Sequence, residues 1–258
     1  MKELKIIHLF FSNSLQQSLT NLPIFIMFLF SKICRFGMFA GMLFLMAHSL
    51  KTIGGYTASQ MLIFYLVFNL VDTLAQLLFR EVYRFRPMVV SGGLDMVLTK
   101  PLNPLVRVLF GGPDLIDAGM VIILLIVLAY ALLQIHPGVA SLLLMAILIV
   151  NSLLISAAFH VFVLGLGVIT LNVDHLIMIY RDITALVRIP VDLFPGFLRA
   201  ILTFVIPVGI MFTFPVKALF GLLSWPLVLI SFIFGLLGIL FAIKFWNYSL
   251  KSYQSASS

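Results

Sequence analysis

Apolar positions in this chain run in blocks and do not alternate with polar ones. Residues 23–47, 60–79, 119–134, 198–214 and 226–246 are built mainly from Leu, Ile, Phe, Val, Met, Ala and Gly. Most of these runs approach the ~20 residues that a helix needs to cross a ~30 Å hydrocarbon layer. Between the third and fourth lies 139–171, equally apolar but too long for one upright span. It has to tilt, kink near Gly165 and Gly167, or continue past the bilayer. Alternation in ten-residue segments, the mark of an outer-membrane barrel, is absent. A continuous apolar run in lipid must satisfy its own backbone hydrogen bonds, and a helix does so. The pattern predicts an all-α, polytopic membrane protein with six transmembrane helices in a single domain, 1–258.

The path of the fifth crossing has two readings. In one, 172–197 is a polar loop and 198–214 is the span. In the other, 174–188, studded with Ile, Leu, Met and Val, enters the membrane. The stretch 198–214, broken by Pro207 and closed by Pro215, is then a re-entrant pair, since irregular backbone is tolerated at membrane depth where protein buries it. Both readings give six crossings. At the start, Leu4, Ile7, Phe11, Leu15, Leu19 and Leu22 recur at steps of three and four, with Lys5, Ser12, Gln16 and Thr20 between them. This predicts an interfacial amphipathic helix over 1–22; the alternative is a frayed tail. The polar residues at 12–18 interrupt any signal-peptide core and no small-x-small cleavage site follows, so the segment is expected to be retained.

Composition agrees with the pattern: of 258 residues, 62% are hydrophobic and 10% charged, and the mean hydropathy is +1.20, too apolar to clothe a water-soluble core. The formal charge of +7 is scattered between the apolar runs, which argues for the positive-inside pattern and against nucleic acid. With both termini cytoplasmic in a cell membrane, Lys2, Lys5, Arg80, Arg84, Arg86, Lys100, Arg107, Arg181, Arg188, Lys244 and Lys251 face inward, and Lys51 and Lys217 outward. Lys32, Arg35 and Arg199 fall inside apolar segments. A single cysteine, Cys34, provides neither a disulfide framework nor a metal site.

Catalysis is not expected of this chain. Its five histidines are far apart without an HExxH pair, and no Gly-x-Ser-x-Gly elbow or paired carboxylates occur. No Gly-x-x-x-x-Gly-Lys-Ser/Thr loop is present, so the chain itself needs no cofactor, and any ATP and magnesium must be bound by another protein. Charges inside spans cost about 2.5–3.5 kcal/mol each on insertion scales and are functional candidates for that reason. Lys32 and Arg35 share one face of the first helix, where they either line a path for an anionic or amphipathic cargo or snorkel and pair with Asp72. Asn151 and His160 either face the same path or hydrogen-bond between helices.

The loop over 80–118 carries the most specific pattern. Within it REVYRFRPMVVSGGLDMVLTKPLNPL combines a basic cluster, a Gly-Gly break, a short amphipathic turn and a proline stop. Leu94, Val97 and Leu98 fall on one face of that turn, with Asp95 and Thr99 towards another. Such a turn suits docking into a groove on a soluble partner; the alternative is a plain connector. Gly93, Leu94, Asp95, Leu98, Pro101, Leu102, Asn103 and Pro104 lie in a stretch that reads, from Gly92, Gly-x-Leu-Asp-x-x-Leu-x-x-Pro-Leu-Asn-Pro. Further on come the proline-punctuated RIPVDLFPGFLRAILTFVIPVGIMFTFPVKALFG (188–221) and the basic-aromatic tail FWNYSLKSYQSASS, which ends in serines. In order and spacing these resemble the membrane subunits of type-2 ATP-binding-cassette exporters along essentially the whole chain, although the tail of that branch usually ends in glycines. The resemblance implies a cytoplasmic coupling helix between the second and third spans, with Gly93, Leu94, Asp95, Leu98 and Pro101 docking a soluble ATPase subunit. It implies a second permease, a copy of this chain or a relative, surrounded by membrane lipids. It also favours the re-entrant reading of 198–214. Export of a lipid-like, glycan or drug-like cargo is the function it implies. An ATPase-independent secondary transporter or channel is the alternative, for which Asp72 is the one clear intramembrane acid.

Overall fold

Each long apolar run except 198–214 folds as a single helix. The computed structural model describes residues 2–20, 22–50, 52–170 and 174–253. Helix α1 (Lys2–Thr20) precedes α2 (Leu22–Leu50), and a tiny hairpin, β1 (Thr52–Ile53) and β2 (Tyr56–Thr57), leads into α3 (Ala58–Phe79). Thr57 starts α3 with a reciprocal capping box, its hydroxyl accepting from the Gln60 amide while the Gln60 side chain accepts from the Thr57 amide. A 3-10 turn (Arg80–Arg84) and short helices α4 (Phe85–Val90), α5 (Gly93–Leu98) and α6 (Pro104–Phe110) follow. The long α7 (Leu115–Ile135) and α8 (Val139–Thr170) come next. Among the described residues, five helices are long and apolar enough to cross a membrane: those over 22–43, 58–90, 115–135, 139–170 and 225–251.

The over-long fourth segment is one uninterrupted helix, unbroken at Gly165 or Gly167. At 1.5 Å per residue its 32 residues extend about 48 Å, so it outruns the hydrocarbon layer. Beyond it, α9 (Asp174–Leu186), α10 (Gly196–Ala200), α11 (Val208–Phe212) and α12 (Phe214–Leu219) lead to α13 (Trp225–Lys251). Prolines break this region as their chemistry dictates: Pro190, Pro195 and Pro207 each precede a new turn, and Pro215 opens α12.

Asp192 decides between the two readings of the fifth crossing. Its carboxylate accepts from the Tyr56 hydroxyl at 2.6 Å, beside the α2–α3 hairpin, and pairs with Lys217 at 3.2 Å and Arg199 at 3.9 Å. Successive helices alternate in direction, so α8 ends at the opposite end of the bundle from that hairpin. The segment 174–192 therefore carries the chain back across. Both limbs of the excursion 196–219 are tied to the same Asp192, as a re-entrant pair must be. The polar-loop version of 172–197 is thus corrected, and Arg188 with it: this arginine lines a cavity within the bundle and does not sit in an inward-facing loop.

Helix α3 is the most enclosed, with Ile63, Phe64, Leu66, Val67 and Val71 buried among α7, α8, α11 and α12. A second core forms at the end where α3 runs out, where Phe79, Val82, Phe85, Leu94 and Val108 join Val161, Leu164 and Trp246. The reverse faces of α7, α8 and α13 expose Ile122, Ile126, Leu143, Ile147, Leu229, Ile233 and Leu240 at helical spacing. A soluble protein would not tolerate so broad an apolar belt; lipid solvates it without cost. Helix α1 lies across the loop end, with the Arg107 guanidinium 5.3 Å from the Phe10 ring centre.

Candidate functional site

Two regions hold most of the residues that the sequence singles out: the loop at the end of α3, and a cavity between α2, α3, α7 and the end of α9.

The loop is clamped by charge. Glu81, buried, pairs with Arg107 at 2.6 Å and with Arg84 at 3.6 Å, and Arg80 meets Asp114 at 3.6 Å. A Cβ on Gly112 would overlap the Glu81 carboxylate, so any larger residue there has to displace that side chain from its ion pairs. Gly92, with φ of 73°, makes the left-handed turn that folds α5 back on α4. Asn103 caps α6 by accepting from the Leu105 amide at 3.0 Å, with Pro104 at the first position of that helix.

These constraints orient α5. Leu94 is 0% exposed and Val97 is also buried, so the apolar face predicted to meet a partner instead holds α5 on the bundle. The outward face carries Met96, 71% exposed, with Thr99, Lys100 and Pro101, and Val90 of α4 extends it. Gly93, Asp95 and Leu98 lie half-buried at its margin. Tyr253, just past α13, comes close to Asp95; burial first, and then that carboxylate, raise its phenol above the ordinary value.

The cavity measures about 350 Å³ and is bordered by Lys32, Arg35, Tyr65, Asn69, Asp72, Thr73, Gln76, Asp117 and Arg188, with Phe36, Phe39, Met38, Met42, Phe68 and Met120 as its apolar wall. Lys32 is paired with Asp117 of α7, not with Asp72 as the sequence suggests. Asp72 instead accepts from the Gln76 amide, one turn on, at 2.7 Å. A smaller cavity of about 70 Å³ continues from the first and adds Tyr83, Tyr180, Arg181 and Thr184.

Asn151 and His160 border neither of these cavities. The Asn151 amide donates to the Ser231 carbonyl at 2.9 Å and so ties α8 to α13. His160 is buried, its Nδ1 2.8 Å from the Ser156 carbonyl and its ring against Phe79 and Tyr180. Asn151 thus bonds between helices, one of the two roles weighed for it, whereas the His160 bond stays within α8 and only its ring packs against other helices. Sequence reasoning missed Asn69, Thr73 and Gln76, although with Asp72 they recur at steps of three and four, a polar stripe legible on the second span. No such signal marks Asp117 and Arg188. Among the described residues no three His, Cys, Asp or Glu side chains gather as metal ligands.

Neither a comparison with curated proteins nor one with solved structures found a match. The sequence profile of the ABC-2 family transporter proteins matches residues 33–257, which takes in the cavity lining apart from Lys32, the clamped loop and the re-entrant segment. The chain belongs to the ABC-2 transporter family and is a helical membrane protein of that kind.

Proposed function

We propose that this chain is the permease subunit of an ATP-driven exporter in a cell membrane, with both termini cytoplasmic. It works with a separate soluble ATPase that binds ATP and magnesium, and with a second membrane subunit that is either a copy or a relative. The cargo is amphipathic: lipid-like, glycan or drug-like. The observation that carries this reading is the clamped loop, which presents Met96, Thr99, Lys100 and Pro101 outward while Leu94 and Val97 anchor it from beneath. A connector needs no such anchoring.

The loop is also mechanically joined to the cavity. The helical run from Ala58 to Val90 passes from the cavity wall into the loop, and Phe85 packs on Trp246 of α13 with ring centres 6.0 Å apart. A push on α5 by the ATPase therefore moves Asn69, Asp72, Thr73 and Gln76 as one body. Alternating access follows if that motion opens and closes the cavity towards opposite sides.

The test is co-purification of the ATPase encoded beside this chain, through a tag on this chain alone, with ATP turnover measured in vesicles. Met96→Asp and Asp95→Arg should reduce retained ATPase or coupled turnover by about tenfold, the loss of ~1.4 kcal/mol at an interface anchor. Met96→Asp, on the exposed face, should keep the wild-type unfolding midpoint. Leu94→Ala should lower that midpoint, as truncating a buried leucine costs about 2–5 kcal/mol. An ATPase retained equally by all the variants, or no nucleotide-binding protein retained by wild type, would refute the reading.

A further inference from the structure

Three arginines converge on the groove that the two contiguous cavities form. Arg35 comes from α2, and Arg181 and Arg188 stand seven residues apart on the face of α9 and its following turn. The two cavities share Arg35, Phe68, Asp72, Gln76 and Arg188, so their linings are continuous. All three arginines are exposed, and among the described residues none has a carboxylate within 4.0 Å. The acids of the groove are already engaged, Asp117 by Lys32 and Asp72 by Gln76. Four cations, Lys32, Arg35, Arg181 and Arg188, thus stand against two carboxylates.

Unpaired guanidinium groups are expensive at membrane depth, and a planar fork of donors fits a phosphate or carboxylate in two-point contact. The adjoining wall is apolar and adaptable, built from Phe36, Phe39, Met38 and Met42. Met38 is 71% exposed, which leaves that side of the groove open along α2.

We propose that this groove binds an amphipathic lipid, its anionic headgroup held by Arg35, Arg181 and Arg188 and its acyl chain laid along Phe36, Phe39 and Met42. The inference deepens the exporter reading by naming a class of ligand, either the cargo itself or a resident membrane lipid. The headgroup chemistry is the same for both.

The test uses the full-length chain in maltoside micelles without ATP or partner, titrated with fluorescent phosphatidylglycerol and with a phosphatidylcholine analogue of the same acyl chain. Wild type should bind the anionic lipid at least about tenfold more tightly. Arg35→Gln/Arg188→Gln should abolish the preference, whereas Arg35→Lys/Arg188→Lys, which keeps the charge, should retain part of it. Asp72→Asn, which removes a competing carboxylate, should strengthen it. Equal affinities for the two lipids in wild type, or a preference untouched by the glutamine pair, would overturn the proposal. In vesicles containing the ATPase complex, ATP-dependent transfer of the labelled phosphatidylglycerol between leaflets marks it as cargo. Binding without transfer marks it as a resident lipid; both outcomes support the site. Because binding is read on this chain alone, its failure leaves the exporter reading standing, and loss of ATPase co-purification leaves this result untouched.

Discussion

Gly235→Ala tests how closely α8 and α13 pack. A Cβ at Gly235 would overlap Oδ1 of Asn151 and lie 3.1 Å from its Cγ. Asn151 would have to swing away and give up its bond to the Ser231 carbonyl, which sits in the most extensive helix pairing of the bundle. An interhelical hydrogen bond in lipid contributes about 0.6–2 kcal/mol, and an overpacked interface costs about 1–3 kcal/mol. Alanine returns at most about 1 kcal/mol in helix propensity. The net expectation is a loss of about 1–3 kcal/mol. Gly238, three residues on, is the internal control: its Cβ would lie 3.6 Å from Cβ of Ala158, an ordinary contact, so Gly238→Ala should be neutral or slightly stabilising. The assay is reversible unfolding in mixed maltoside and dodecyl sulfate micelles, followed by far-ultraviolet circular dichroism. Asn151→Ala alone should cost about one such hydrogen bond. Combined with Gly235→Ala, it removes the clashing atoms, so the double variant should lose less than the sum of the singles. Equal stability of the two glycine variants, or strict additivity with Asn151→Ala, would refute the argument.

Lys32→Met should destabilise the bundle by about 3 kcal/mol or more in the same assay, because it strands the Asp117 carboxylate, 2% exposed, without its cation. Adding Asp117→Leu should recover most of that loss; a neutral Lys32→Met would show that the pair does not form in the membrane. At the hairpin end, Tyr56→Phe should cost about 1.5 kcal/mol by removing a charge-assisted bond of 2.6 Å, with Asp192 still held by Lys217. Burial, and then Asp192, raise the Tyr56 phenol above its ordinary value. Its contribution is therefore complete below the unfolded pKa of about 10 and fades only as pH rises through the higher folded value. The phenolate absorbance that develops near pH 11 should accordingly be the same in Tyr56→Phe as in wild type.

Run length and local chemistry in the sequence determined what a single helix decides for itself. The spans of α2, α3, α7, α8 and α13 follow from ~20-residue apolar runs, because lipid leaves the backbone no partner but itself. The breaks at Gly92, Pro207 and Pro215 follow from the backbone limits of glycine and proline. The same local patterns marked Gly93–Pro104 as a built loop. Partners depend on which helices become neighbours, and periodicity within one helix carries no such information. Asp117 stands 85 residues from Lys32, nearer helices notwithstanding, and Asp192 gathers Tyr56, Arg199 and Lys217 from three separate stretches. The same limit hid which face of α5 points inward: Leu94, Val97 and Leu98 form an equally plausible docking face or anchor until Val82, Phe85 and Trp246 are seen beneath them. Arg188 became part of a cavity only when Asp192 drew 174–192 across the bundle. Run length and backbone limits thus fix the long spans, their proline and glycine breaks and lipid as the solvent, whereas the route of 174–192 and the pairing of the charges depend on distances between helices that no single helix contains.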